Sequence, residues 1–214
     1  MMWNTYIALG DSIVEGKGDH YSGYDNKGWV PLVGEKLKKF NPEMKYYNFG
    51  RCGGTIDSVL NTQVQKAIDK KPDLIILTIG GNDARESNWT PDLFSKKYLN
   101  LIKLLKLPNL TLITMTYAYL NYSEEELQER YGDNPKVVKW FPLHFKRVKD
   151  VNHIIRKISK EHDLNCLEFE DYKPVKDPDN ISKDLLHPNS RGYWYIANYI
   201  IELLQIRFKL SNLS

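Results

Sequence analysis

The chain has 214 residues, 42% of them hydrophobic and 27% charged, with a formal net charge of +3. That length buries a core without disulfide or metal staples, and this composition excludes a disordered chain. Lys and Arg are interleaved with Asp and Glu, so no basic block marks a nucleic-acid or membrane surface.

Residues 3–9 (Trp-Asn-Thr-Tyr-Ile-Ala-Leu) end at Gly10 and read as a first strand. Val30, Val33 and Leu37 set a helical spacing over residues 29–39. A short strand follows at 45–49, closed by Gly50, and then a helical stretch over 56–69 with Ile56, Val59, Leu60, Val64 and Ile68 on one side. Asp73 to Ile79 is the clearest strand, and its near-continuous apolar run predicts burial on both faces, as in a parallel sheet. A helix at about 91–106, a strand at 110–115, a helix at 144–162, a fifth strand at 165–169 and a closing helix at 189–208 complete the series. Strands alternating with helices predict one doubly wound α/β domain spanning residues 1–214, with helices on both faces of its sheet.

One segment breaks this rhythm. Residues 118–145 exceed an ordinary connection and carry Tyr119, Tyr122, Tyr131, Trp140 and Phe141 among many charges. Within it, Ser123 followed by Glu126 predicts a capped short helix from Glu124 to Arg130. The insertion suits a lid over an acyl chain or a stacking surface for sugar rings, and its role is open.

No run reaches the roughly 18 apolar residues of a membrane span. The N-terminus shows no signal peptide, so the expected location is the cytoplasm. Cys52 and Cys166 are expected to be free thiols there. Five histidines and two distant cysteines show no metal-ligand spacing.

In an open parallel sheet, ligands bind beyond the carboxyl ends of the strands. Four segments fall at that edge: Gly10-Asp11-Ser12-Ile13, Asn48 to Thr55, Gly80-Gly81-Asn82-Asp83, and Asp184-Leu185-Leu186-His187-Pro188. Ser12 follows a glycine that turns the chain sharply out of its strand. A serine hydroxyl becomes a nucleophile only when a base removes its proton, and His187 is the candidate base. Asp184 lies three residues earlier, which on a helical turn puts both side chains on one face, so the carboxylate fixes the imidazole tautomer. Donors for an oxyanion come from the glycine-rich turn at 50–54, the Asn82 amide and the Ser12 backbone N–H. Each segment alone is ordinary turn chemistry, and Pro188 also suits the first position of the closing helix. Their joint occurrence at the strand ends is what points to a site.

Together these motifs resemble the GDSL lipase/esterase family, or SGNH hydrolases. Gly10-Asp11-Ser12-Ile13 is similar to its first block, Asn48-x-Gly50-x-x-Gly53 to its second, Gly80-x-Asn82-Asp83 to its third and Asp184-x-x-His187-Pro188 to its fifth. The matches span residues 9 to about 200. The resemblance implies a flavodoxin-like three-layer α/β/α sandwich with a five-stranded parallel sheet and no cofactor. It implies Ser12, Asp184 and His187 as catalytic residues and Ser12, Gly53 and Asn82 as the oxyanion hole. The expected activity is hydrolysis of a small-molecule carboxylic ester through an acyl-enzyme on Ser12. Carbohydrate O-deacetylation, thioester hydrolysis and a non-catalytic binding protein are the alternatives. No nucleic-acid partner is expected, and the oligomeric state is open.

Among other residues, His20 and Arg51 are expected at the surface, and His144, His153 and His162 in structural positions. Cys52 is expected as a small buried filler of its loop. Trp29 either shapes the site or covers the sheet.

Overall fold

The structure is a computed structural model, and it describes residues 3–118, 122–132 and 135–210; Tyr119 of the insertion lies outside the described residues. Five strands, β1 (Thr5–Gly10), β2 (Lys45–Asn48), β3 (Leu74–Thr78), β4 (Thr111–Met115) and β5 (Asn165–Leu167), form one sheet in the order β2-β1-β3-β4-β5. Every neighbouring pair is parallel. The carboxyl ends of all five therefore lie along one edge.

Alternation along the strands explains the apolar runs. Tyr6, Ala8, Leu74, Ile76, Ile113 and Met115 point into one buried cluster. Ile7, Leu9, Ile75, Leu77 and Leu112 point into another. Successive side chains on a strand face opposite sides, so a strand buried on both must be apolar at every position. The first cluster is closed by α2 (Trp29–Leu37) and α8 (Ser190–Phe208). The second is closed by α3 (Ile56–Thr62), α4 (Val64–Asp69), α5 (Pro91–Leu105) and α7 (Pro135–Glu161). The result is the expected three-layer α/β/α arrangement. None of the helices among the described residues is long and apolar enough to cross a membrane.

Two elements depart from the sequence pattern. The helical stretch at 56–69 is broken at Gln63, which takes φ −114° between α3 and α4. The break turns its buried side chain onto the end of β1. Its Oε1 accepts from Gly10 N at 2.9 Å, and its Nε2 donates to Gly10 O at 2.8 Å. The other departure is α7, which begins nine residues before the expected 144 and runs through Pro142. A proline inside a helix removes one backbone donor and crowds the preceding turn, so the pattern reads as a break. Burial of Phe141 and Phe145 on either side outweighs that penalty. The insertion is thus mainly helical. Its first helix, α6 (Glu124–Tyr131), carries the expected cap, with Glu126 N donating to Ser123 Oγ and Ser123 N donating to Glu126 Oε2.

Gln63 holds both backbone groups of Gly10 in a buried place. Gly10 O keeps a second bond from Arg51 N at 3.1 Å, so only its N–H is orphaned if the side chain is removed. Gln63→Ala is therefore expected to destabilise the protein by about 2 kcal/mol, the cost of one unsatisfied buried donor plus a lost bond. Urea denaturation checks this, and an unchanged midpoint would contradict it.

Candidate active site

The first segment is set by the end of β1. Asp11 caps the short helix α1 (Ser12–Glu15), its Oδ1 accepting from Ile13 N at 2.9 Å, and Ser12 is 7% exposed at the head of that helix. Ser12 is the first helical residue, so its own N–H has no partner within the helix.

The fourth segment reaches Ser12 from 175 positions away. The spacing of Asp184 and His187 predicts a helical turn, but the structure has a tight non-helical loop. Leu185 takes φ 58°, which leaves the right-handed region. Asp184 Oδ1 accepts from Leu186 N and His187 N, both at 3.0 Å. Ser182 N bonds to His187 O, and a bridge between Ile181 and Pro188 closes the loop. Asn189, rather than His187, caps α8, so Pro188 lies before the helix. Within this loop His187 Nδ1 lies 2.6 Å from Asp184 Oδ2 and His187 Nε2 lies 2.8 Å from Ser12 Oγ. A carboxylate, an imidazole and a hydroxyl stand in line.

The loop is stitched to the segment after α1. Lys183 N donates to Asp19 Oδ2, Ser190 N to Asp19 O, Asp19 N to Ser182 Oγ, and Tyr193 Oη to Lys17 O. Asp19 was not visible in the sequence as a site residue, because its work lies in a contact between distant parts of the chain.

The second and third segments face Ser12 across the cavity. Gly53 takes φ +75°, a conformation that L side chains rarely adopt, although a Cβ there would meet open space. Gly54 is the reverse case: a Cβ there would stand 2.9 Å from Arg51 O and 3.3 Å from Asp11 Cα. Asn82 Nδ2 donates one hydrogen to Gly54 O at 2.9 Å, which orients the amide and leaves its second hydrogen. Asp83 receives Ile56 N on both carboxylate oxygens, at 3.1 and 3.2 Å, tying the Asn82 loop to the start of α3. Ser12, Gly53, Asn82, Asp184 and His187 all line one cavity of about 280 Å³.

Several residues of this cavity carry no sequence signal. Tyr117, just past β4, donates from Oη to Asp11 Oδ2 at 2.6 Å. The side chain of buried Asn152 pairs with both Tyr117 N and Tyr117 O at 2.8 Å. His144 lines the cavity rather than sitting in a merely structural place, its ring stacked on Trp140 at 4.8 Å. Burial, then the charges of Arg85 and Arg147, push its pKa down to about 4 and keep it neutral at pH 7. Cys52 is exposed, not buried, because Cys52 N bonds to Glu15 and the thiol turns out toward Lys17 Nζ at 3.5 Å. Trp29 is fully buried against the sheet and lies outside the cavity. His20, Arg51 and His153 are exposed. Among the described residues no three His, Cys, Asp or Glu side chains cluster as a metal site.

Two carboxylates flank the imidazole, and their environments pull them apart. Burial raises Asp184, but bonds from the His187 ring and from the N–H groups of His187 and Leu186 outweigh it and hold the group at about 2. Burial dominates at Asp11 and raises it to about 6, against the bonds from Tyr117 and Ile13.

The sequence profile of the GDSL-like lipase/acylhydrolase family matches residues 8–195. Among curated proteins no sequence matches this chain. Solved structures with a similar fold include a lipase/acylhydrolase from Enterococcus faecalis, at 21% identity and a TM-score of 0.70, covering 97% of each chain. The psychrotrophic esterase EstA from Pseudoalteromonas sp. aligns at 18% identity and a TM-score of 0.70, over 96% of this chain and 99% of its own. A catalytic mutant of the acetylxylan esterase Axe2 from Geobacillus stearothermophilus aligns at 18% identity and a TM-score of 0.68, over 93% of each chain.

Two outcomes follow from the strained and charged groups. Leu185→Gly relieves about 1 kcal/mol of left-handed strain but removes a packed leucine worth about 2–5 kcal/mol, so a net loss of stability is expected in thermal melts. A rise in melting temperature would show that this side chain does not hold the loop. Asp11 has a folded pKa of about 6 against an ordinary 3.8, so its ionisation works against folding as pH rises between those values. Melts of Asp11→Asn and wild type should therefore diverge in favour of the variant as pH rises from about 4 to about 7. A difference independent of pH would contradict the assignment.

Proposed function

This chain belongs to the GDSL-like lipase/acylhydrolase family, and from that premise we propose that it is a serine esterase that hydrolyses carboxylic esters through an acyl-enzyme on Ser12. The observation that carries the reading is the unbroken line Asp184–His187–Ser12, at 2.6 and 2.8 Å, opening on a cavity that Gly53 and Asn82 also line.

Ser12 Oγ attacks the ester carbonyl while His187 Nε2 takes its proton. Asp184, ionised well below neutral pH, receives Nδ1–H and stabilises the imidazolium as it forms. The carbonyl oxygen gains charge and is met by the N–H groups of Ser12 and Gly53 and by the remaining amide hydrogen of Asn82. Those donors are held before substrate arrives: Asn82 by Gly54 O, and the Gly53 turn by the Gly54 N to Arg51 O bond. His187 protonates the leaving alkoxide. It then deprotonates a water that attacks the acyl group, and Ser12 leaves with its proton restored. No step needs a cofactor.

Removal of an acetyl group from a carbohydrate uses the same atoms, and the similarity in fold to an acetylxylan esterase is the observation that favours this second reading. Parallel assays on p-nitrophenyl acetate and acetylated xylan separate the two.

Ser12→Ala is expected to abolish turnover of p-nitrophenyl acetate; wild-type rates in that variant would end the proposal. Asn82→Ala should lower kcat by about 10²–10³, the usual weight of one oxyanion donor. Asp184→Asn should lower it by about 10⁴, because the imidazole loses its tautomer. Steady-state kinetics on folded variants measure all three.

A further inference from the structure

A second, narrower cavity of about 80 Å³ adjoins the catalytic one, and Ile13, Tyr117, Ala118, Phe145 and Leu186 line both. It runs inward beneath the Asp184–His187 loop. Its inner wall is apolar and buried, formed by Met115, Phe169, Val175 and Leu185.

The few polar groups in its lining are already engaged. Thr78 Oγ1 donates to Met115 Sδ at 3.2 Å. Thr116 Oγ1 receives Phe169 N at 2.8 Å and lies 3.2 Å from Glu168 Oε2. Tyr117 Oη is held by Asp11. A hydroxylated or charged arm entering this space would leave its own polar groups without partners, a penalty that an alkyl chain does not meet. The size is limiting as well. At about 10–15 Å³ for each water-sized group, 80 Å³ holds about five to eight of them.

Resting on the esterase reading, we infer that this cavity is the acyl pocket, that it takes an unbranched alkyl chain of about four to six carbons, and that Ala118 and Leu186 stand at its mouth. The alcohol arm stays in the wider and more polar catalytic cavity, where the charged Lys17 and Arg85 also lie. A long-chain lipid acyl group exceeds the pocket, and an acetyl group leaves it mostly unfilled. The enzyme so described is a short-chain acyl esterase rather than a lipase.

The experiment is a chain-length series of p-nitrophenyl esters from acetate to decanoate, run on wild type and Ala118→Phe. In wild type kcat/KM should rise about fourfold per methylene as far as the chain stays inside the pocket, and fall beyond about seven acyl carbons. Ala118→Phe narrows the mouth and should lower the ratio of hexanoate to acetate kcat/KM more than tenfold. A flat series, or an equal loss on acetate and hexanoate in the variant, overturns the pocket. A parallel series of alkyl acetates should show little dependence on the alcohol; a stronger dependence there than on the acyl arm also overturns it. Wild-type protein that cleaves none of these esters refutes the esterase reading, and the pocket is then judged by binding alone. In that case hexanamide should raise the melting temperature of wild type but not of Ala118→Phe, and equal shifts, or none, overturn the inference. Should Ala118→Phe fail to fold, Leu186→Phe gives the same comparison from the opposite lip.

Discussion

Ser12 and His187 stand 175 positions apart in the chain and meet across 2.8 Å. That bond is the constraint on which the site depends, and a parallel sheet secures only half of it. The sheet delivers Ser12, the Gly50–Gly54 turn and the Asn82 loop to one edge, because β2, β1 and β3 are neighbours running the same way. His187 follows no strand directly. It arrives on a loop after two short 3₁₀ turns, and hydrogen bonds to Asp19, Lys17 and Tyr21 hold that loop against the segment that follows Ser12. A dyad with one member on a strand end and the other on a loop needs such local stitching, since a misplacement of about 1 Å can cost about a hundredfold in rate.

Helix α7 braces three of the parts. Phe141 and Phe145 pack with Leu127 and Leu185, so the apolar face of the insertion grips the loop between Asp184 and His187. Two residues after Phe145, Arg147 donates to Ala84 O and Glu86 O, both at 3.1 Å, and steadies the segment after Asn82. Asn152 clamps Tyr117, which in turn meets Asp11 beside Ser12. The insertion therefore does more than cover the cavity. It continues a core helix outward, and the same rigid rod sets the positions of the Asp184–His187 loop, the Asn82 loop and the neighbour of Ser12.

This division explains what could be read from the chain and what could not. The sheet was legible because strands buried on both faces must be apolar throughout, as Leu74–Thr78 nearly is. That Ser12, Asn82, Asp184 and His187 converge on one edge was legible because each sits next to turn residues whose chemistry is local. Tyr117, Asn152, Gln63 and Asp19 were not. Each acts on a partner at least 35 positions away, and nothing in a tyrosine, amide or aspartate by itself announces such a partner. The early start of α7 was hidden for a different reason: Pro142 breaks a helix by local rules, and only packing between distant aromatic residues overrides them. Cys52 followed the same logic in reverse, since a bond from its own N–H to Glu15 decides which way the thiol faces.

The costs in stability also collect at this edge. Among the described residues five non-glycine residues take positive φ, and four of them, Lys71, Asn109, Asp163 and Lys209, are polar residues at turns or helix ends. Leu185 is the apolar exception, and it lies between Asp184 and His187. Asp11 and Asp83, both raised to about 6 chiefly by burial, adjoin Ser12 and Asn82 in the chain. A fold selected for stability alone would place an amide at 11, and it would not set a buried leucine at positive φ at 185. At neutral pH the buried carboxylate of Asp11 adds negative potential beside His187, which would favour the imidazolium of the proposed ester cleavage, and Leu185 turns the loop so that Asp184 and His187 face each other. Strain and buried charge persist only where the surrounding structure over-determines them. Here that surrounding is α7, which is why the insertion and the site stand or fall together.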